Sequence, residues 1–153
     1  MTEENLLYRD PESISDLSPQ ERENLRVVME ELKGWDTQNV DRVPSVMAKD
    51  GLYHDITLPP AKGWEGIRKF GEGWVKAAPD FHVVVEKFVV QGENVVNMGR
   101  ISGTIRGEYF GLPATSSIHG SGDHIQSHNG DLHAPWTGYV DSLGYCDENS
   151  RPA

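Results

Sequence analysis

Apolar residues recur at Leu25, Val28, Met29, Leu32 and Trp35, the three- and four-residue steps of an amphipathic helix. Just ahead of them stands Ser18-Pro19-Gln20-Glu21. It supplies a serine cap, a proline at the first helical position and a glutamate three residues after the cap, which together make a capping box. Gly34 lies near the natural stop. A shorter helix is predicted over 39–49, where Val40, Val43, Val46 and Met47 share a face and Pro44 forces an irregularity. Leu52-Tyr53-His54-Asp55-Ile56 reads as a short strand ended by Pro59-Pro60. A third helix fits 64–78, with Trp64, Ile67, Phe70, Trp74 and Val75 inward and Pro79-Asp80 closing it.

The remainder has strand patterning. Residues 81–91 are rich in β-branched and aromatic side chains, Gln91-Gly92-Glu93-Asn94 is a hairpin turn, and 95–106 form the returning strand. A Gly- and Pro-containing crossing occupies 107–116. Two further strands fit 117–126 and 131–140, joined at Ser127-His128-Asn129-Gly130. Three helices with one short strand, followed by four antiparallel strands, predict an α+β domain with its helices on one side of a curved sheet. Strands 81–91 and 93–106 are apolar on both faces, where a half-solvated strand should alternate. That pattern predicts a homodimer. Residues 1–17 are acidic with scattered apolar positions and read as a flexible arm. The domain proper spans 18–140, and 141–153 read as a flexible tail.

Composition narrows the function. The 153 residues fit one domain, and 37% hydrophobic content is enough for a core. Lys and Arg number 14 against 24 Asp and Glu, a net charge of -10 that repels phosphate backbones and anionic headgroups. Neither nucleic acid nor a membrane surface is therefore an expected partner. The longest apolar runs, such as Phe88-Val89-Val90, are far short of a membrane span, and the Met-Thr-Glu-Glu start lacks the features of a secretory signal. Cys146 is the sole cysteine and cannot form an internal disulfide. The expectation is an acidic cytoplasmic protein.

Few motifs carry chemistry. His119, His124, His128 and His133 cluster, but their spacings of five, four and five residues do not keep them on one strand face, and no Cys pair or H-E-x-x-H accompanies them. No metal site is expected. There is no G-x-S-x-G elbow. Gly120-Ser121-Gly122 lies within a strand pattern and reads as a bulge or tight bend of the sheet. Asp123 stands out, because aspartate is disfavoured mid-strand. Inside a curved sheet its carboxylate would lose hydration and bind its proton more tightly, as proton transfer requires; on the wet face it would do nothing. His54 is a second candidate, although it alternates with Tyr53 and only one of the two can point inward. Arg100 and Ser102 share a face of their strand and offer a cation and a hydroxyl, unless Arg100 merely pairs with a surface acid. Trp64, Trp74, Phe88 and Trp136 suit a core as well as a ligand wall.

Several segments, taken in order, resemble the SnoaL-like polyketide cyclases of the NTF2-like superfamily. They are Tyr53-His54-Asp55; Gly63-Trp64-Glu65-Gly66-Ile67-Arg68-Lys69-Phe70 leading to Ala78-Pro79-Asp80-Phe81; Gly103-Thr104-Ile105-Arg106-Gly107-Glu108-Tyr109-Phe110-Gly111-Leu112-Pro113; and Gly122-Asp123-His124-Ile125 with Asn129-Gly130-Asp131-Leu132 and Trp136. The resemblance covers about residues 20–137. It implies a cone-shaped barrel in which three N-terminal helices pack against a strongly curved, mostly antiparallel sheet around a deep pocket. It also implies cofactor-independent cyclisation, isomerisation, dehydration or epoxide opening on hydrophobic molecules of secondary or xenobiotic metabolism. Asp123 matches the family's acid–base aspartate. Ile105 replaces a histidine common in the family, and Ala134-Pro135-Trp136 replaces a Glu-His-Trp.

The expected reaction is therefore acid–base chemistry of the cyclase, isomerase or dehydratase type. Asp123 moves the proton, His54 or His119 assists, and Tyr53, Trp74, Arg100, Ser102, Ser121 and Trp136 contact the substrate. Two alternatives stand beside it. One is an epoxide hydrolase of the limonene-epoxide-hydrolase type, with Asp123 activating water and Arg100 orienting it. The other is a binding or assembly module with no turnover.

Overall fold

The computed structural model describes residues 4–55, 58–104 and 106, together with the backbone of two strands at 118–127 and 137–140. Its helices are α1 (Pro19–Asp36), α2 (Arg42–Ser45) and α3 (Gly63–Ala77). Its strands are β1 (Leu52–Asp55), β2 (Ala61–Lys62), β3 (His82–Gln91), β4 (Asn94–Gly103), β5 (Ile118–Ser127) and β6 (Thr137–Val140). They form one six-stranded sheet in the order β2-β1-β6-β5-β4-β3. All pairings are antiparallel except β1 with β6, which is parallel. That parallel pairing joins the early strand to the late ones, a non-local contact invisible in the local pattern.

The capping box of α1 forms as read. Ser18 Oγ accepts from the Glu21 N–H at 3.2 Å, and Glu21 Oε2 accepts from the Ser18 N–H at 2.9 Å. The second Glu21 oxygen accepts from the Gly92 N–H at 2.9 Å, so the same side chain clamps the β3–β4 turn. These backbone donors, Ser18 first, hold the Glu21 carboxyl below the usual range. Leu25, Val28, Met29, Leu32 and Trp35 are all buried, and α1 packs on β3 and β4. The helix expected over 39–49 shrinks to the four residues of α2, since Pro44 lacks the donor that a longer helix needs there.

The N-terminal segment is no loose arm. Leu7 is fully buried in the core. The Asn5 amide donates to the Val83 carbonyl and accepts from the Val85 N–H, each at 2.9 Å. Asn5 thus stands in for a neighbouring strand along β3, the sheet edge. The Arg22 guanidinium donates to the carbonyls of Pro11, Ile14 and Leu17. A few polar contacts around one leucine suffice to seat a segment whose composition alone argues for fraying. The 141–153 tail lies outside the described residues.

The same segment yields a pH prediction. The Tyr8 hydroxyl donates to Asp36, whose carboxylate also accepts from the Val83 N–H at 2.8 Å. Burial first, then the Asp36 bond and charge, push the phenol up to about 12. A phenol that holds its proton more tightly when folded stabilises the docked segment below the ordinary tyrosine pKa, near 10. That contribution is lost as pH rises from about 10 through about 12. Tyrosinate absorbance of the wild type minus Tyr8→Phe should show one group with the upper midpoint; a midpoint near 10 would mean that Tyr8 is not docked on Asp36.

β3 carries a bulge between Val85 and Lys87. Its inward residues are Val83 and Val85, then Phe88 and Val90, and on β4 the buried row begins Val95, Asn97. On the other face Val84, Val96 and Met98 are half-buried and Val89 is exposed. At Gly120 and Gly122, read from the sequence as a bulge or tight bend, the β4–β5 register is continuous from Asn97↔His124 to Gly103↔Ile118, so no bulge lies there. The bulge belongs to β3, opposite Gly99. A Cβ on Gly99 would lie 2.0 Å from the Val84 carbonyl oxygen and 3.0 Å from Val85 Cα. Because the obstacle is backbone, Gly99→Ala should cost about 2–3 kcal/mol in chemical denaturation. Gly92→Ala, where nothing lies within 4 Å but φ is +57°, should cost only about 1 kcal/mol. Equal costs would show that the bulge does not press on Gly99.

Candidate active site

One stripe of α1, spaced four, three and four residues, holds Asn24, Val28, Glu31 and Trp35, all buried. At one end the Asn24 amide donates to the Gly92 carbonyl at 3.1 Å. At the other end the Trp35 ring lies 5.5 Å from that of Tyr53 on β1 and 6.0 Å from that of Phe70 on α3; Tyr53 and Phe70 are 5.0 Å apart. Between these ends sits a carboxylate. Glu31 is 2% exposed, and its carboxylate accepts from the Trp35 indole N–H. Asn97 on β4 is 3% exposed, and among the described residues its Oδ1 has no hydrogen-bond partner. The core interior therefore contains an acid and an open acceptor among aromatic rings. Neither residue was singled out from the sequence. The signal existed, since Glu31 falls in phase with Val28 and Trp35, and Asn97 falls two residues from Val95.

The anticipated site residues are distributed as follows. Of Tyr53 and His54, Tyr53 takes the core position and His54 is half-buried. Trp74 is buried with its ring 5.3 Å from Phe81 and is a core side chain. Arg100 is exposed, and its Nε lies 2.7 Å from a Glu86 oxygen, the surface pair that the sequence reading left open. Ser102 is half-buried. The register of β5 sets Asp123 opposite Met98, Ser121 opposite Arg100 and His119 opposite Ser102, while His124 stands opposite Asn97. His54 stands beside Tyr139 of β6, and Tyr139 opposite Ile125, two residues from Asp123. By parity, positions 54, 119, 121 and 123 fall on one face of the sheet, the face of half-buried Met98 and exposed Arg100 and not the face of buried Val95 and Asn97, so the register does not place Asp123 on the inward side that the sequence reading requires of it. Trp136 lies outside the described residues.

Two motif pieces prove to be structural partners. Asp80 Oδ1 accepts from the Thr104 N–H at 2.7 Å, and that bond leads the causes holding its carboxyl below the ordinary range. A Cβ on Gly103 would meet Phe81 Cα at 3.2 Å. The Pro-Asp and Gly-Thr steps thus tie the end of α3 to the end of β4. The helix motif likewise buries Ile67 and Phe70, while the Trp64 indole N–H donates to the Met47 carbonyl at 2.9 Å.

The SnoaL-like polyketide cyclase model matches residues 26–126, a span that includes α1, α3 and Asp123 on β5. The chain belongs to this family. SnoaL-like cyclases are cyclase- and isomerase-type enzymes, and their NTF2-like fold recurs in the solved structures. A protein of Jannaschia sp. CCS1 assigned to the SnoaL-like polyketide cyclases is 20% identical with a TM-score of 0.71, covering 84% of this chain and 90% of its own. A hypothetical protein of Catenulispora acidiphila with a ketosteroid isomerase-like fold, solved with trimethylamine, is 19% identical with a TM-score of 0.64 over 78% and 87% of the two chains. An LEH-like epoxide hydrolase of M. tuberculosis is 15% identical with a TM-score of 0.63 over 84% and 86%. No curated protein matches. Among the described residues, no helix of this SnoaL-like chain is long and apolar enough to cross a membrane.

Proposed function

We propose that the protein is a cofactor-independent acid–base enzyme acting on a hydrophobic small molecule, with Asp123 as the proton carrier and His54 and His119 as helpers. In that role the Asp123 carboxylate takes a proton from the carbon beside a substrate carbonyl. The resulting enolate either receives the proton at a new position or attacks a second carbonyl, whose oxygen then takes the proton back. No net redox change occurs and no external reactant is needed. The observation that carries the reading is Asp123, the residue that matches the family's acid–base aspartate and lies on β5 inside the matched span. Positions 54, 119 and 123 share one face of the sheet, the one opposite Asn97, and this reading seats the substrate on that face.

Epoxide opening is the second reading, favoured by the LEH-like neighbour and by the carboxylate that Glu86 brings to Arg100 from the adjacent strand. Product mass separates the two. Polyketone and epoxide probes should return isomers, or products lighter by one water; epoxides gaining one water would install the second reading. If no probe is turned over by the wild type, neither reading stands and the protein is a binding module.

A further inference from the structure

We propose that Lys87 is the anion-holding residue of the substrate face, its ammonium pairing with the enolate oxygen that forms as Asp123 removes a proton; this rests on the acid–base reading of Asp123. The backbone of β3 points to it. Val83 and Val85 face the core, and regular alternation would turn residue 87 the same way. The bulge between Val85 and Lys87 adds one residue, so Glu86 and Lys87 are both exposed and Phe88 takes the inward place. Gly99 accommodates this geometry, having no Cβ to meet the Val84 carbonyl.

The register then sets Lys87 opposite Met98, and Met98 opposite Asp123. The two charged positions share one row of one face, two strand spacings or about 10 Å apart. Half-buried Met98 lies between them. An apolar floor flanked by an acid and a cation suits an enolisable carbonyl compound, such as a 1,3-diketone, lying across it. As the C–H bond breaks, the acid takes the proton and the electron pair moves through a new C=C bond to oxygen, where the ammonium meets the charge. Once the proton is returned to the substrate that charge is gone, so the pairing is strongest when the barrier is highest. Lys87 is open for this part. Among the described residues no acid pairs with it, whereas Arg100 on the same face is held by Glu86, 2.7 Å from its Nε. In a chain of net charge -10, such a cation is the point on this face that attracts an anion.

The probes are 4-nitrophenolate, a planar stand-in for an enolate, and its neutral ether 4-nitroanisole, at a pH where the phenol is ionised and with binding read by calorimetry. The wild type should bind the phenolate about fivefold or more tightly than the ether, the range of an exposed charge pair. Lys87→Met keeps the stem and removes the charge, and should abolish the preference; Lys87→Arg should keep most of it. Because the side chain is exposed, neither change should move the thermal transition. On a 1,3-diketone, Lys87→Met should lower kcat by about 10–100-fold with a smaller change in KM, since the oxyanion exists only after the proton has left. No phenolate preference in the wild type, a preference kept in Lys87→Met, or no binding of either probe at its solubility limit overturns the assignment, as does an unchanged kcat. The two failures are distinct. Wild-type rates in Asp123→Asn, with a phenolate preference that still depends on Lys87, sink the acid–base reading. An inactive Asp123→Asn beside a Lys87→Met of unchanged preference sinks only the role of Lys87.

Discussion

Asp123→Asn is expected to lower kcat/KM by about 10²–10⁴-fold, the usual contribution of a positioned general acid or base. The amide keeps the shape of the carboxylate and can still accept hydrogen bonds, but it cannot take up a proton at working pH. Loss of activity with an unchanged thermal transition therefore isolates proton transfer from folding. The pH–rate profile is the sharper readout. It should contain an ionisation that Asp123→Asn abolishes and His54→Ala displaces, because an imidazole on the same face, across β6, alters the charge the carboxylate feels. His119→Ala should change KM and kcat without removing that ionisation, two residues along β5 from Ser121 and four from Asp123. Wild-type rates in Asp123→Asn would sink the assignment and move attention to the buried row, where Glu31 is the acid.

Much of this fold was legible because its local signals agree. The capping box, the helical stripe from Leu25 to Trp35 and the β3–β4 turn each depend on residues within a few positions of one another. The misses are mostly non-local, the short α2 excepted, where Pro44 itself lacks the donor that a longer helix needs. Nothing near Asn5 reveals that β3, 78 residues later, is an edge in need of hydrogen bonds. The parallel β1–β6 pairing joins Leu52 to Thr137, a contact that no local pattern anticipates.

The site divides along the same line. Residue types unusual for their element, such as Asp123 in a strand, are visible at once. Glu31 and Asn97 were passed over because glutamate is ordinary in a helix and asparagine is unremarkable after Val95-Val96. What makes them unusual is burial, and burial is set by partners distant in the sequence. Tyr53 over His54 was likewise undecidable locally, because either parity gives a plausible strand. Trp35 and Phe70 decide it by offering rings to stack on.

Those rings support the second large prediction. Trp35→Ala should cost about 4 kcal/mol or more, enough to bring a domain of ordinary stability close to unfolding. The indole is nearly fully buried, and its ring also lies 3.3 Å from where a Gly71 side chain would begin, so no neighbour can collapse far into the void. Truncation also removes the indole N–H that the buried Glu31 carboxyl accepts, and such a hydrogen bond contributes about 1 kcal/mol. The two causes can be separated. Trp35→Phe keeps most of the ring contact and loses the donor, while Glu31→Leu loses the acceptor and keeps the volume. If the bond matters, the double variant Glu31→Leu/Trp35→Phe should be more stable than the sum of the single changes implies, by about 1 kcal/mol or more in urea denaturation. Additivity within about 0.5 kcal/mol would mean that Trp35 holds the core by ring packing alone, and that the Glu31 carboxylate is satisfied without it.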